Sequence, residues 1–204
     1  MLVAIVDYGM GNLRSVYNKF KKMNIECVVT SDKEVISKAD KLVLPGVGHF
    51  KYGMQKLQEY DLIEVLNKKV LKMGTPIFGI CLGTQMFANH SEEGNTNGLG
   101  WIDAEVLKFK VSDEIEYKVP HMGWNNIEII NPNKIDDGLA NNEQFYFVHS
   151  YHLKCNNPSD VWMTTVYDYE FVSAVHVDNI YGTQFHPEKS HDAGFDLLKK
   201  YVEL

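Results

Sequence analysis

The chain has 204 residues, 45% of them hydrophobic and 23% charged, with a formal net charge of −7. That length suits one domain with a sizeable core. The composition is that of an ordinary water-soluble globular protein, and the negative balance argues against nucleic acid as the main partner. No apolar run reaches the length of a membrane span, so no membrane partner is expected. The three cysteines (Cys27, Cys81 and Cys155) form neither a disulfide framework nor a paired metal-ligand motif. The expectation is therefore no metal, no cofactor and a reducing cytoplasm. Met1 to Asp7 lacks a basic segment and reads as a first strand, not as a secretory leader.

The first half alternates strand and helix. Leu2 to Val6 is a short apolar run, and Asn12 to Met23 places Leu13, Val16, Tyr17, Phe20 and Met23 on one helical face. Glu26 to Thr30 and Lys41 to Leu44 read as strands, the latter ending at Pro45-Gly46-Val47-Gly48. A helical stretch carries Leu57, Leu62, Ile63, Leu66, Val70 and Leu71, and Thr75 to Ile80 is the next strand. Such alternation predicts a mostly parallel sheet with helices on both faces. After residue 100 the rhythm changes. Trp101–Phe109, Trp124–Ile130, Phe145–Leu153, Trp162–Tyr167 and Phe171–Phe185 read as antiparallel strands, and Ala193–Val202 as a closing helix. The two halves are expected to share one core.

The run Gly79-Ile80-Cys81-Leu82-Gly83-Thr84-Gln85 has the layout of a nucleophile elbow, with a strand stopping at a reactive residue between glycines and a helix following at once. A helix start offers free N–H groups that favour the anionic sulfur. A lone cysteine is more often an inert core residue, and the flanking glycines are what favour chemistry here. Downstream, His186-Pro187-Glu188 follows a strand. A histidine can move the thiol proton and a carboxylate can orient the ring, so Cys81, His186 and Glu188 form a candidate triad; taken alone, His186 and Glu188 also fit a solvated strand end. Pro45 to Gly48 fits either a tight turn or an oxyanion hole built with the Leu82 N–H. Asp7 to Asn12 is a weak glycine-rich turn without a dinucleotide or P-loop signature. His121, His149, His152, His176 and His191 read as structural or peripheral. Reactive groups of a parallel sheet gather beyond the carboxyl ends of its strands, so these segments are expected on one rim.

The two signatures around Cys81 and His186 resemble the class I (triad-type) glutamine amidotransferase family. Within it, Asp7–Leu13, Leu44–Gly48, Pro120–Asn125, Phe147–Tyr151 and Phe185–Ser190 resemble the branch of glutaminase subunits of imidazole glycerol phosphate synthase, along nearly the whole chain. The resemblance implies a single amidotransferase domain over residues 1–204 with a flavodoxin-like, mostly parallel α/β sheet. It implies a catalytic triad of Cys81, His186 and Glu188 and an oxyanion hole from Gly46, Val47, Gly48 and Leu82. It also implies glutamine binding by Gln85, Glu93, Ser150 and Tyr151. Asn12, Trp124, Asn125, Tyr146 and Lys189 match positions at the interface with a (β/α)₈ cyclase partner, to which ammonia from glutamine is passed to make imidazole glycerol phosphate and an aminoimidazole carboxamide ribotide. Two other readings stay open at this point. One is a paralogous subunit supplying ammonia for an acetamidino group on surface polysaccharide. The other is a stand-alone cysteine hydrolase of related fold.

Overall fold

The computed structural model describes all residues 1–204. In chain order the elements are β1 (Leu2–Val6), α1 (Leu13–Lys22), β2 (Glu26–Thr30), α2 (Lys33–Lys38), β3 (Lys41–Gly46), α3 (Phe50–Glu59) and α4 (Ile63–Asn67), which runs on into a π-helical turn (Lys68–Lys72). Then come β4 (Ile77–Cys81), α5 (Leu82–Gln85), β5 (His90–Ser91), β6 (Thr96–Asn97), β7 (Ala104–Lys108), β8 (His121–Asn126), β9 (Glu128–Ile129) and β10 (Gln144–His149). The chain closes with β11 (Tyr151–Cys155), β12 (Val161–Tyr167), β13 (Tyr169–Val177), β14 (Ile180–Thr183) and α6 (His191–Glu203).

Five strands, β2-β1-β3-β4-β14, lie parallel and side by side. The sheet then continues through antiparallel β13, β11 and β7. A separate ribbon pairs β8 with β10. Of the parallel strands, β1, β3, β4 and β14 are buried on both sides, which is why they read as apolar runs, while β2 lies half-buried at the edge. Period-two alternation divides their side chains between two cores. Ala4, Val6, Leu42 and Leu44 point to one face, with Phe50, Leu57, Leu82 and Phe87. Val3, Ile5, Val43 and Phe78 point to the other, with Phe20, Trp162, Phe185 and Tyr201. There are thus two cores, not one, but each draws on both halves of the chain, so the halves are inseparable.

Several expected elements are redrawn. The run Phe145–Leu153 breaks at Ser150 into β10 and β11, which belong to different sheets. Phe171–Phe185 folds into the β13–β14 hairpin. The helix after Cys81 is a single turn. α2 was not foreseen. It has only six residues, and it is held by its cap, where the Asp32 carboxylate accepts the N–H groups of Glu34 at 2.8 Å and Val35 at 3.4 Å.

Gly83 brings α5 and β3 together. A Cβ there would lie 1.8 Å from the Leu44 carbonyl oxygen, so no side chain fits without moving backbone. Gly74 has φ +65° and nothing within 4 Å of a built Cβ. Gly83→Ala is expected to cost more than about 2 kcal/mol, whereas Gly74→Ala costs only the left-handed strain of about 1 kcal/mol. Urea denaturation of the two variants checks this, and equal costs would contradict the packing described.

Candidate active site

Three neighbouring strands end together and carry the reactive segments. In the parallel register Gly46 of β3 lies opposite Cys81 of β4, and Thr183 of β14 opposite Ile80. The loop after β3, the cysteine at the end of β4 and the segment after β14 are therefore adjacent by construction. The rim expected from the sequence exists. Cys81 sits at φ 55°, ψ −111°, a sparsely populated region for a residue with a side chain, and is buried. Its thiol donates weakly to the Val148 carbonyl at 4.0 Å, and the Gln184 Nε2–H donates to its sulfur at 3.5 Å.

His186 is fully buried and Glu188 nearly so. The imidazole Nδ1 meets Glu188 Oε1 at 2.9 Å. Pro187 opens the 3₁₀ turn Pro187–Lys189, which curls the chain so that residues two apart face each other. The turn is pinned by Ser190, whose hydroxyl donates to the His186 carbonyl at 2.7 Å and accepts the Tyr146 N–H at 3.0 Å. His186 Nε2 is buried without an aligned hydrogen-bond partner, which leaves it free to take up a proton. Burial by itself lowers the pKa of this ring. The charge of the nearby Cys81 sulfur, followed by Glu188, more than reverses that and raises it to about 10.

Cys81 and His186 open onto a cleft of about 280 Å³. Val47, Gly48 and Leu82 line one wall. The Val47 and Gly48 N–H groups are not taken by any backbone carbonyl, and Gly48 has φ +104°. Leu82 opens α5, where N–H groups lack intrahelical partners. Gly46 lies beneath, with no room for a Cβ: the Tyr8 hydroxyl would be 2.5 Å away. Gln85, Glu93, Ser150 and Tyr151 also line the cleft. Gln85 donates to the Tyr151 carbonyl and to Gln184 Oε1, both at 2.9 Å, and Glu93 accepts the Phe50 N–H at 2.7 Å.

Trp124 and Tyr146 face each other across the β8–β10 ribbon, with ring centroids 6.1 Å apart. Trp124 also stacks on His191 at 4.9 Å, and Lys189 Nζ lies 5.5 Å from the Tyr146 ring centre. Trp124 is 44% exposed, so this cluster is open to solvent. Asn12 precedes α1, which packs against the Pro187–Lys189 turn. Asn125 is not brought to this cluster. Alternation along β8 turns it the other way, toward His121 and the Val166 carbonyl.

Three residues at the site escaped the sequence reading. Gln184 contacts the sulfur. His149, expected to be peripheral or structural, lines the cleft. Tyr8, inside the segment read as a weak glycine-rich turn, donates to the Pro45 carbonyl at 2.9 Å. Its phenol pKa is raised by burial and then by the Cys81 charge, so it stays a donor. The signal available for all three was position, since each lies within two residues of a segment already singled out.

The sequence matches the family described as glutamine amidotransferase class-I over residues 4–201. It is 50% identical to the imidazole glycerol phosphate synthase subunit HisH 2 of Methanococcus maripaludis, covering 99% of each chain. It is 46% identical to subunit HisH 1 of the same organism, covering 100% of each. Among solved structures, PurLQS from Thermotoga maritima superposes with a TM-score of 0.75 at 17% identity, over 99% of this chain and 97% of that one, which speaks to the fold. This chain belongs to the class I glutamine amidotransferase family and, within it, to the branch of the imidazole glycerol phosphate synthase HisH subunits.

The electrostatics around His186 give a test with a definite sign. A ring whose folded pKa is about 10, against an unfolded value near 6.5, contributes stability that is fully present below pH 6.5 and is lost as pH rises through about 10. The stability gap between wild type and His186→Gln is expected to narrow over that window. In Cys81→Ser the His186 pKa is expected to fall, because burial then opposes Glu188 without the sulfur charge. NMR titration of the ring measures it, and an unchanged pKa in the serine variant would refute the coupling.

Proposed function

We propose that this chain is the glutaminase subunit of imidazole glycerol phosphate synthase, a single amidotransferase domain over residues 1–204, and that it works in the cytoplasm. It hydrolyses glutamine to glutamate and ammonia and hands the ammonia to a (β/α)₈ cyclase subunit with which it forms a heterodimer. The observation that carries the reading is the meeting of Cys81 and His186 at one cleft in a chain that aligns end to end with the HisH subunits.

The Cys81 sulfur attacks the side-chain amide carbon of glutamine. The resulting oxyanion is held by the Leu82 N–H and by N–H groups of the Gly46–Gly48 loop. His186, oriented by Glu188, gives its proton to the departing nitrogen, and ammonia leaves a glutamyl thioester. His186 then takes a proton from water, whose hydroxide attacks the thioester, and glutamate departs as the sulfur is restored. Gln85, Glu93, Ser150 and Tyr151 hold the glutamine. Ammonia released into water is largely protonated at neutral pH and then no nucleophile, so transfer within a complex protects it. The exposed cluster of Trp124, Tyr146 and Lys189, together with Asn12, supplies the docking face for the cyclase.

A second reading, a paralogue feeding ammonia to an acetamidino-sugar partner, draws on the presence of two numbered HisH subunits in Methanococcus maripaludis, 50% and 46% identical to this chain. The acceptor is bound by the partner, so co-purification with each candidate barrel subunit decides between the two.

Cys81→Ala is expected to abolish glutamate release, and Glu188→Gln to lower kcat by roughly 10²- to 10⁴-fold in a folded protein. A coupled glutamate assay, with and without the cyclase and its ribotide, reads both. Undiminished turnover in Cys81→Ala would end the proposal.

A further inference from the structure

Gln184 lies between Cys81 and a line of hydrogen bonds that runs back to β8. Its two ends have chemically fixed directions. The Asn125 Nδ2 donates to the Val166 carbonyl at 2.9 Å, and a carbonyl can only accept, so the amide orientation is set. The remaining Nδ2 hydrogen faces His121 Nε2 at 3.3 Å, which must then be the acceptor. His149 Nδ1 lies 2.8 Å from the Tyr151 carbonyl and must carry the proton. Burial lowers the His121 pKa to about 4 and holds that of His149 well below the ordinary range, against the pull of its Tyr151 bond, so both rings are neutral. His149 Nε2 is therefore bare, and it receives the His121 Nδ1–H at 3.1 Å. Gln85 donates one hydrogen to the same Tyr151 carbonyl and the other to Gln184 Oε1. That leaves the Gln184 Nε2 facing the sulfur at 3.5 Å.

We propose that Gln184 is a positioning residue for the Cys81 nucleophile, and that the chain Asn125–His121–His149–Tyr151–Gln85 sets its orientation from the strand that carries Trp124. The proposal rests on reading Cys81 as the nucleophile. Every member donates or accepts in one sense only, so no ring or amide can turn over without breaking one of these hydrogen bonds. His149 and Gln85 meet at one carbonyl oxygen, which couples the histidine pair to the sulfur contact through a single atom.

The test has two arms. In the wild-type protein near neutral pH, nitrogen NMR is expected to find His121 and His149 both neutral and both in the Nδ1–H tautomer. Either ring protonated, or in the Nε2–H form, overturns the chain. In the second arm, Gln184→Leu and His149→Leu are expected to lower kcat for glutamine at least roughly tenfold with KM within about twofold. His149→Asn, whose amide can donate from the Nδ1 position, is expected to recover most of that loss. Wild-type kcat in both leucine variants, or a loss confined to KM, overturns the assignment of Gln184. Wild-type protein lacking any Cys81-dependent hydrolysis even with the cyclase and its ribotide present removes the parent reading instead, and the tautomers still judge the chain.

Discussion

The backbone at Cys81 is the constraint on which the rest of the site depends. A residue with a side chain at φ 55° and ψ −111° costs on the order of 1–3 kcal/mol, and such a conformation persists only where its surroundings leave no alternative. Those surroundings are β3 and β14 on either side of β4, and Gly83 pressed beneath the Leu44 carbonyl. The strain does geometric work. It turns the thiol out of the sheet at the point where β3 and β14 also end, so that a loop with free N–H groups and a histidine flank the sulfur. A cysteine in relaxed β geometry would point into one of the two cores.

The histidines near this point separate into two populations by their neighbours rather than by their depth. His186 and His149 are both buried. His186 has a carboxylate at one nitrogen and the sulfur near the other, and its pKa rises. His149 has a carbonyl at one nitrogen and a neutral ring at the other, with no anion in contact, and its pKa falls. Desolvation acts on both in the same direction, and the presence or absence of a counter-charge decides the outcome. Acid–base capacity is thereby confined to one ring although His149 lines the same cleft. His121 and His149 keep a fixed protonation state, and a fixed state is what directional hydrogen bonding requires.

Much of the fold was legible where a short-range rule acts without competition. The buried parallel strands, the amphipathic α1, the turn of Pro187 and the elbow around Cys81 all follow from patterns within about ten residues. What escaped depends on long-range pairing. Nothing local says that Ser150 divides one apolar run between two sheets, because only pairing with β8 on one side and β7 on the other separates them. β5 and β6 are two residues each and leave no periodic trace. Gln184 reads as an ordinary strand residue in Gly182–Phe185. Its amide gains meaning only when β14 is placed beside β4, and Tyr8 likewise only when Pro45 is brought next to it. The residue types most easily found were those whose chemistry is rare, cysteine and histidine. Those missed, the Gln184 amide, the Tyr8 phenol and the His149 ring, acquire a role only from their partners.

The ribbon of β8 and β10 joins surface and interior by the plainest property of a strand. Trp124 and Asn125 are neighbours in sequence and so lie on opposite sides, one against solvent and His191, the other against His121. Across the ribbon, Tyr146 touches the cation of Lys189 with its ring, while its carbonyl accepts the His186 N–H at 2.9 Å. Any body that presses on Trp124, Tyr146 and Lys189 therefore bears on two short, stiff connections. One passes through β8 to the histidine pair, and the other through the Pro187–Lys189 turn to His186. Neither contains a flexible linker. Both run through packed backbone and hydrogen bonds of fixed direction, and they end at Gln184, which donates to the sulfur, and at His186.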